Sequence, residues 1–370
     1  LSGKKDEEAS RLNKIIPEDA LIIGSFDFSH TLPPGAAEFH DEKALAVLES
    51  LDYAGTDFLD IDSKPGLYIF LKLMQERGAD HFTLFDHTNS ANILGDSEIE
   101  DTTSYITGVF SSGVAVQENR VSLLAFGDLM LDRGVRTAID KNTPLYPFIP
   151  IARFLGGNDI TFANLEGGFT DFASKRLEPA GIAFTFDPSL AAVLSRLGFN
   201  LFGLANNHSR DFGANGFHQT QKYLESADIS YFGDWANVED ISVVKTVRGM
   251  RVGFVGYHAL SRQGFDAVLQ ETRRLRKDTD ILIAVTHWGV EYKQYFSADQ
   301  QKEARMLIDA GADLVLGGHP HVIQPIEIYK GKPIFYSLGN FVFDQTFSSE
   351  TMEGLAVGAV FGEQSASYYI

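Results

Sequence analysis

The sequence predicts an α/β protein in two unequal parts, and three observations carry that expectation. Beyond residue 118, apolar runs at 121–126, 160–163, 201–204, 252–255, 281–286, 313–316 and 333–337 read as buried strands. Helical periodicity lies between them, the alternation that builds an α/β sandwich. Before residue 118 the pattern is thinner, two helices among a few strands, too little to close a core comfortably by itself.

The helices are well punctuated. Asp187-Pro188 supplies a cap and a first-turn proline for a helix running to Leu197, closed by Gly198. Ser297 and Gln300 make a capping box for a helix that ends before Gly311. In the first part an apolar strand at 21–26 leads to His30. Helices follow at 38–51 and 66–77, the second stopped by Gly78, with further strands at 82–86 and 105–110. A joint of small and polar residues at 111–120 sets the boundary, giving parts 1–117 and 118–370. The end, Ser367-Tyr-Tyr-Ile370, is strand-like, so the second part reads as cut within a domain.

Composition narrows function by exclusion. A chain of 370 residues with 44% hydrophobic content has an ordinary globular core. It contains no cysteine, which rules out disulfides, thiolate metal ligands and a cysteine nucleophile. The net charge is −19, most of the excess lying in residues 1–117, and no basic face offers a nucleic-acid footprint. No apolar run approaches the ~18 residues of a membrane span. The polar N-terminus lacks both a signal-peptide centre and an initiating Met. A cytoplasmic location is expected if the chain is nearly complete, and the cell envelope if an anchor precedes it. Membrane association stays open, with no anchor in these residues.

Chemistry concentrates after the strands. Leu314–Leu316 ends in Gly317-Gly318, then His319-Pro320-His321. Alternate residues of an extended segment point the same way, so both imidazoles can face one point, and neutral imidazole is a common ligand for divalent metals. Upstream strands give Asp128, Asn164 with Glu166, Asn206-Asn207-His208, and His287 with Glu291. In α/β sheets ligands bind at the carboxyl ends of strands. Mixed carboxylate, amide and imidazole donors suit one or two divalent ions such as Mn, Fe, Zn or Mg. Two ions about 3.5–4 Å apart can activate a water, with Asp128 or Glu166 as the bridge between them. His208 is placed to protonate a leaving group. His30 can be a metal ligand, a catalytic base or a hydrogen-bonded structural histidine. His218 and His258 read as structural, and Trp288 and Phe341 as core or pocket wall.

Two resemblances add to this reading. Ser25-Phe-Asp-Phe-Ser-His30, followed by a helix containing Leu51-Asp52, resembles the C-terminal half of the Memo-like family, AmmeMemoRadiSam protein B, whose fold is similar to that of extradiol dioxygenases. The resemblance implies a partial domain over residues 1–117, with His30 as one of three metal-facing histidines. The place near 63–66 where that family has a cysteine is Lys64-Pro65 here.

Gly127-Asp-Leu-Met-Leu-Asp-Arg133, Asn164-Leu-Glu166, Asn206-Asn-His208 with Asp211, His287-Trp-Gly289 with Glu291, Gly318-His-Pro-His321 and Ser337-Leu-Gly-Asn-Phe341 together resemble the CapA family. Those are poly-γ-glutamate capsule synthesis proteins built on a calcineurin-like metallophosphatase fold, and the likeness spans about 120–362. It implies metal ligation by Asp128, Glu166, Asn207, His287, His319 and His321. The expected fold is then a metallophosphatase-like α/β sandwich preceded by a partial, extradiol-dioxygenase-like α/β domain.

The function implied is capsule-polymer metabolism, by a metal-dependent hydrolase in which a metal-bound hydroxide attacks and His208, backed by Asp211, is the general acid. Arg133, Arg210, Asn164 and Glu291 are expected to meet the substrate, an anionic polymer or phosphoester, and Asp211 and Glu291 are also suited to orient histidines. One departure stands out: Met130 occupies the place where a metallophosphatase has a ligand histidine. It supports the alternative, a non-catalytic capsule-assembly scaffold with a degenerate metal site.

Overall fold

The structure is a computed structural model that describes residues 2–96, 98–113, 120–174, 182–237, 240–261, 264–363 and 365–370. The chain separates into two compact units, Leu1–Ser122 with Gly358–Ile370, and Leu123–Val357. Residues 114–119, where the joint was expected, lie outside the described residues.

In the first unit, helix Ser2–Ile15 lies against helix Lys64–Glu76. The Arg77 guanidinium ties their ends by donating to Asn13 Oδ1 at 3.0 Å and to the carbonyls of Ile16 and Pro17. Ser63 caps Lys64–Glu76, its hydroxyl accepting from Gly66 N. Helix Pro34–Ser50 and a three-stranded antiparallel sheet complete the layer, with Thr102–Ser111 between Phe28–Leu32 and His81–Asn89. Phe28, Leu48, Leu67, Leu71 and Met74 form its core. No strand forms at 21–26. Leu21 and Ile23 are 85% and 80% exposed, and the paired segment starts only at Phe28. An apolar run predicts a strand only where a neighbour takes its backbone hydrogen bonds and a core takes its side chains.

The second unit has the expected α/β sandwich. In one sheet Asn340–Val342, Val121–Leu129, Ile160–Leu165, Leu201–Gly203 and Ser230–Phe232 run side by side, all parallel. In the other the order is Ser242–Val247, Met250–His258, Ile281–His287, Leu314–Gly318, Lys332–Phe335 and Ile326–Tyr329, parallel in the middle and antiparallel at both edges. Ile160–Leu165 and Ile281–His287 are buried throughout, as strands covered on both faces must be. Phe162 of the first sheet stacks on Phe254 of the second at 6.4 Å between ring centroids and Phe232 lies tilted against it at 5.7 Å, which sets the two sheets face to face. Alternate residues of the second sheet, Val255, Leu282, Ala284 and Val315, turn outward. They pack against Val268 and Leu269 of helix Phe265–Leu275 and Ala304 and Leu307 of helix Ala298–Ala310. The capping box of the latter is present, and Gly311 closes it at φ 118°.

Among the described residues no helix is long and apolar enough to cross a membrane. Gly127 tests the seam beside the first sheet. A Cβ there would sit 2.0 Å from the Gly339 carbonyl oxygen, the acceptor for Asp128 N at 3.1 Å. Gly127→Ala is therefore expected to lower folding stability by roughly 1–3 kcal/mol or more, read as a drop in urea midpoint at unchanged slope.

Candidate metal centre

Register assembles the centre. In the first sheet Asn340, Asp128, Asn164 and Gly203 occupy matched positions on four neighbouring strands. In the second, His258, His287 and Gly318 are matched in the same way. Because these strands are parallel, their carboxyl ends share one edge, and the residues just beyond, Glu166, Asn206–His208 and His319–His321, arrive together.

Asp128 is fully buried at the middle. Its Oδ1 accepts from Asn164 Nδ2 at 2.8 Å and its Oδ2 from His319 N at 3.1 Å, with His321 Nδ1 3.3 Å from Oδ2. Glu166 is also fully buried, yet neither carboxylate oxygen has a hydrogen-bond partner. The imidazole Nε2 atoms of His321 and His208 stand 3.7 and 3.8 Å from its Oε1. Asn207 Oδ1 meets His287 Nε2 at 2.7 Å, and Asn164 Nδ2 lies 3.4 Å from His287 Nδ1. His319 Nδ1 is buried without a partner.

These contacts set the protonation states. Burial, then the neighbouring Asp128 charge, pushes Glu166 up to about 7. Burial drives His287 well below its usual value, helped by the imidazoles around it, and lowers His319 too. Burial alone would also lower His321, but Glu166, Asp128 and Asn340 together hold it at about 9. Two neutral imidazoles beside two carboxylates make a donor set for a divalent cation.

Among the described residues, two groups have donor atoms within 4.8 Å of one another: Asp128, Glu166 and His287, and Glu291, His319 and His321. An orphaned buried carboxylate, an orphaned imidazole nitrogen and gaps longer than a hydrogen bond are what a shared cation resolves. The residues present fit a metal.

The remaining candidates divide. His208 Nδ1 contacts Asp211 Oδ2 at 2.9 Å, an oxygen that also accepts from Phe184 N, so Nε2 is turned toward Glu166. Arg133 and Glu291 line a cleft of about 720 Å³ with Glu166, His208 and His321. Arg210 is drawn aside: it donates to Asp234 Oδ1 at 2.6 Å and stacks over Phe217, and it is not among the cleft's lining residues. Asn164 is tied up within the buried network rather than facing the cleft. His30 belongs to the first unit, 32% exposed and 3.9 Å from Asp27, and neither ligand group includes it. Trp288 is core, its Nε1 donating to the Tyr336 carbonyl. His218 lies on the surface beside Gln221. His258 is closer to the centre than its spacing suggests, its ring 5.8 Å from that of His287.

Three residues had no role assigned from the sequence, although Asn206 and Asn340 stood within its motifs. Asn340 Oδ1 meets His321 Nδ1 at 2.9 Å and fixes that ring, while its Nδ2 donates to Gln345 and to the Thr351 carbonyl. Asn206 joins Asn164, the Leu165 carbonyl and His208 N. Asp344 holds Arg133. Asn340 carries the signal shared by the others, a polar residue next to a parallel strand.

The sequence comparisons identify the family. The description "Bacterial capsule synthesis protein PGA_cap" matches residues 122–345. The chain is 31% identical over 251 residues to the capsule biosynthesis protein CapA of Bacillus anthracis, covering 62% of this chain and 61% of that one. It is 30% identical over 237 residues to the PGA biosynthesis protein CapA of Bacillus subtilis strain 168, covering 59% and 62%. It thus spans about three fifths of the length of those relatives. A solved Staphylococcus aureus protein put forward as a 5′-nucleotidase superposes distantly, at 14% identity and a TM-score of 0.43, over 68% of this chain and 54% of that one. The Memo-like resemblance of residues 1–117 finds no support in these matches. Because the family match runs through well over half of the sequence, the chain belongs to the bacterial capsule synthesis protein family PGA_cap.

Proposed function

We propose that this chain is a metal-dependent hydrolase of capsule-polymer metabolism, cleaving an anionic polymer of the poly-γ-glutamate kind or a phosphoester. The observation that carries the reading is Glu166, a buried carboxylate with neither oxygen hydrogen-bonded, set among Asp128, His208 and His321. Asp128, Glu166, Asn207, His287, His319 and His321 would hold one or two ions of the Mn, Fe, Zn or Mg type. What such an ion supplies is Lewis acidity and a water made nucleophilic at neutral pH.

The chain's own residues do the rest. Asp211 and the Phe184 ring, 4.2 Å from the imidazole, hold His208 so that Nε2 is free to give a proton to the leaving group. Asn340 orients His321, as an outer partner of a ligand histidine does. Arg133 receives a negative charge of the substrate. The function is assigned to the part beginning near residue 118, with 1–117 a separate domain.

One observation favours the scaffold reading. Met130 is fully buried and its Sδ accepts from Asp132 N at 3.0 Å, so a soft thioether stands two residues after Asp128. That leaves a poorer donor set on the Asp128 side.

Metal content by mass spectrometry, with turnover of p-nitrophenyl phosphate and poly-γ-glutamate, separates the two readings. Metal with turnover is expected; metal without turnover leaves the scaffold, and a protein that takes up no divalent ion sinks both. Asn340→Ala is expected to weaken metal affinity by roughly 10–100-fold, read by competition with a chelating dye. His208→Gln is expected to lower kcat by roughly 10²–10⁴-fold while metal content stays at the wild-type level.

A further inference from the structure

Arg133 is the guanidinium of the cleft, and its surroundings are built rather than incidental. Its carbon Cζ lies over Phe184 at 5.0 Å and over Phe343 at 5.5 Å. Each of those rings also lies against an imidazole of the centre. Phe184 is 4.2 Å from the His208 ring, and Phe343 is 4.9 Å from the His321 ring. The guanidinium is therefore one aromatic ring away from the proposed acid and from a ligand. Arg133 itself sits at φ 51°, a left-handed conformation that a non-glycine residue holds only under constraint. Its Nε is buried without a hydrogen-bond partner.

What Arg133 holds is a carboxylate of its own chain. Asp344 Oδ1 accepts from Arg133 Nη2, and Asp344 Oδ2 accepts from Gly134 N at 2.9 Å. Two parallel donors on two carboxylate oxygens form the geometry that recognises a carboxylate in general. Asp344 lines the same cleft as Glu166, His208 and His321.

Resting on the hydrolase reading above, we propose that Arg133 and Gly134 N form the cleft's carboxylate subsite and that Asp344 fills it as an internal stand-in, displaced when a substrate carboxylate enters. A γ-linked glutamate chain carries one free carboxylate on every unit beside the amide, so a unit at the metal centre places such a group within a residue's reach. The Asp344 contact costs nothing covalent to break. It keeps the guanidinium paired until substrate arrives, and it sets a threshold that neutral chains do not overcome.

The test is binding of a fluorescently labelled γ-glutamate heptamer to the metal-loaded full chain. Asp344→Asn is expected to tighten binding on the order of tenfold, the loss of one competing charge-assisted contact. Arg133→Met is expected to weaken it, and the double variant to match Arg133→Met, because the gain needs the guanidinium. The heptamer with its α-carboxylates methylated is expected to ignore all three changes. Asp344→Ser, checked like the others by thermal unfolding, repeats the measurement should Asp344→Asn fold poorly.

Unchanged or weaker heptamer binding in a folded Asp344 variant overturns the proposal. So does a gain that survives in the double variant, which reports long-range charge alone, or inorganic phosphate showing the Arg133 dependence while the heptamer shows none. Turnover read on the same samples keeps the two readings apart. The binding pattern without turnover upholds the subsite and defeats the hydrolase; turnover with binding indifferent to Arg133 and Asp344 does the reverse.

Discussion

A buried carboxylate at the meeting of two sheets governs this structure. Moving an isolated charge out of water costs several kcal/mol even after relaxation, so Asp128, with no exposed surface, stands only because donors converge on it. They come from both sheets: the Asn164 amide from the neighbouring strand, the His319 backbone N–H and the His321 ring from the turn across the seam. That convergence demands a close approach of backbone to side chain. A Cβ at Gly318 would lie 2.7 Å from Asp128 Oδ1, so the glycine before His319 is a condition of the contact. The turn accepts further cost, with His319 at φ 92° and His321 at φ 58°. Both histidines thus hold a left-handed backbone beside the carboxylate they face.

The second carboxylate has no such compensation. Glu166 shares the pocket with Asp128, and the nearest imidazole nitrogens, those of His208 and His321, hold off beyond hydrogen-bond distance. Burial and the Asp128 charge are what raise it to about 7. A protein that wanted only stability would place an amide or an apolar group there, since half-satisfied polar networks are worse than none. The retained acid, together with the unpartnered His319 nitrogen, describes a site short of positive charge. That shortage is the physical content of the metal assignment.

Much of this was legible in the sequence because strand ends are local features. Asp128, Glu166, Asn207, His287, His319 and His321 each follow an apolar run, and the parallel topology implied by strand–helix alternation brings such positions to one edge. What could not be read locally was partnership. Arg210 looked as suitable as Arg133 for an anion, yet Asp234, far along the chain, takes it. Asn340 and Asn206 look like ordinary loop amides until their acceptors and donors are known. The run at 21–26 failed for a related reason: its composition is that of a strand, but exposure of Leu21 and Ile23 shows that no sheet receives it. Periodicity reports what a segment can bury, and register decides what it meets.

Met130 shows how one departure redistributes function along a short turn. Its sulfur accepts the Asp132 amide, and the Asp132 carboxylate in turn accepts from Arg133 N, Arg136 Nε, Ser174 Oγ and Thr185 N. The segment from Asp128 to Arg133 is consequently pinned at every other residue, with the buried Asp128 carboxylate at one end and the cleft's guanidinium at the other. A histidine at 130 would offer the centre one more imidazole donor; methionine instead seals the corner with a buried apolar side chain. The same rigid corner that thins the donor set on the Asp128 side holds Arg133 in its strained conformation against Phe184 and Phe343. On the function proposed, metal affinity and anion recognition are set together, by the packing of one six-residue segment.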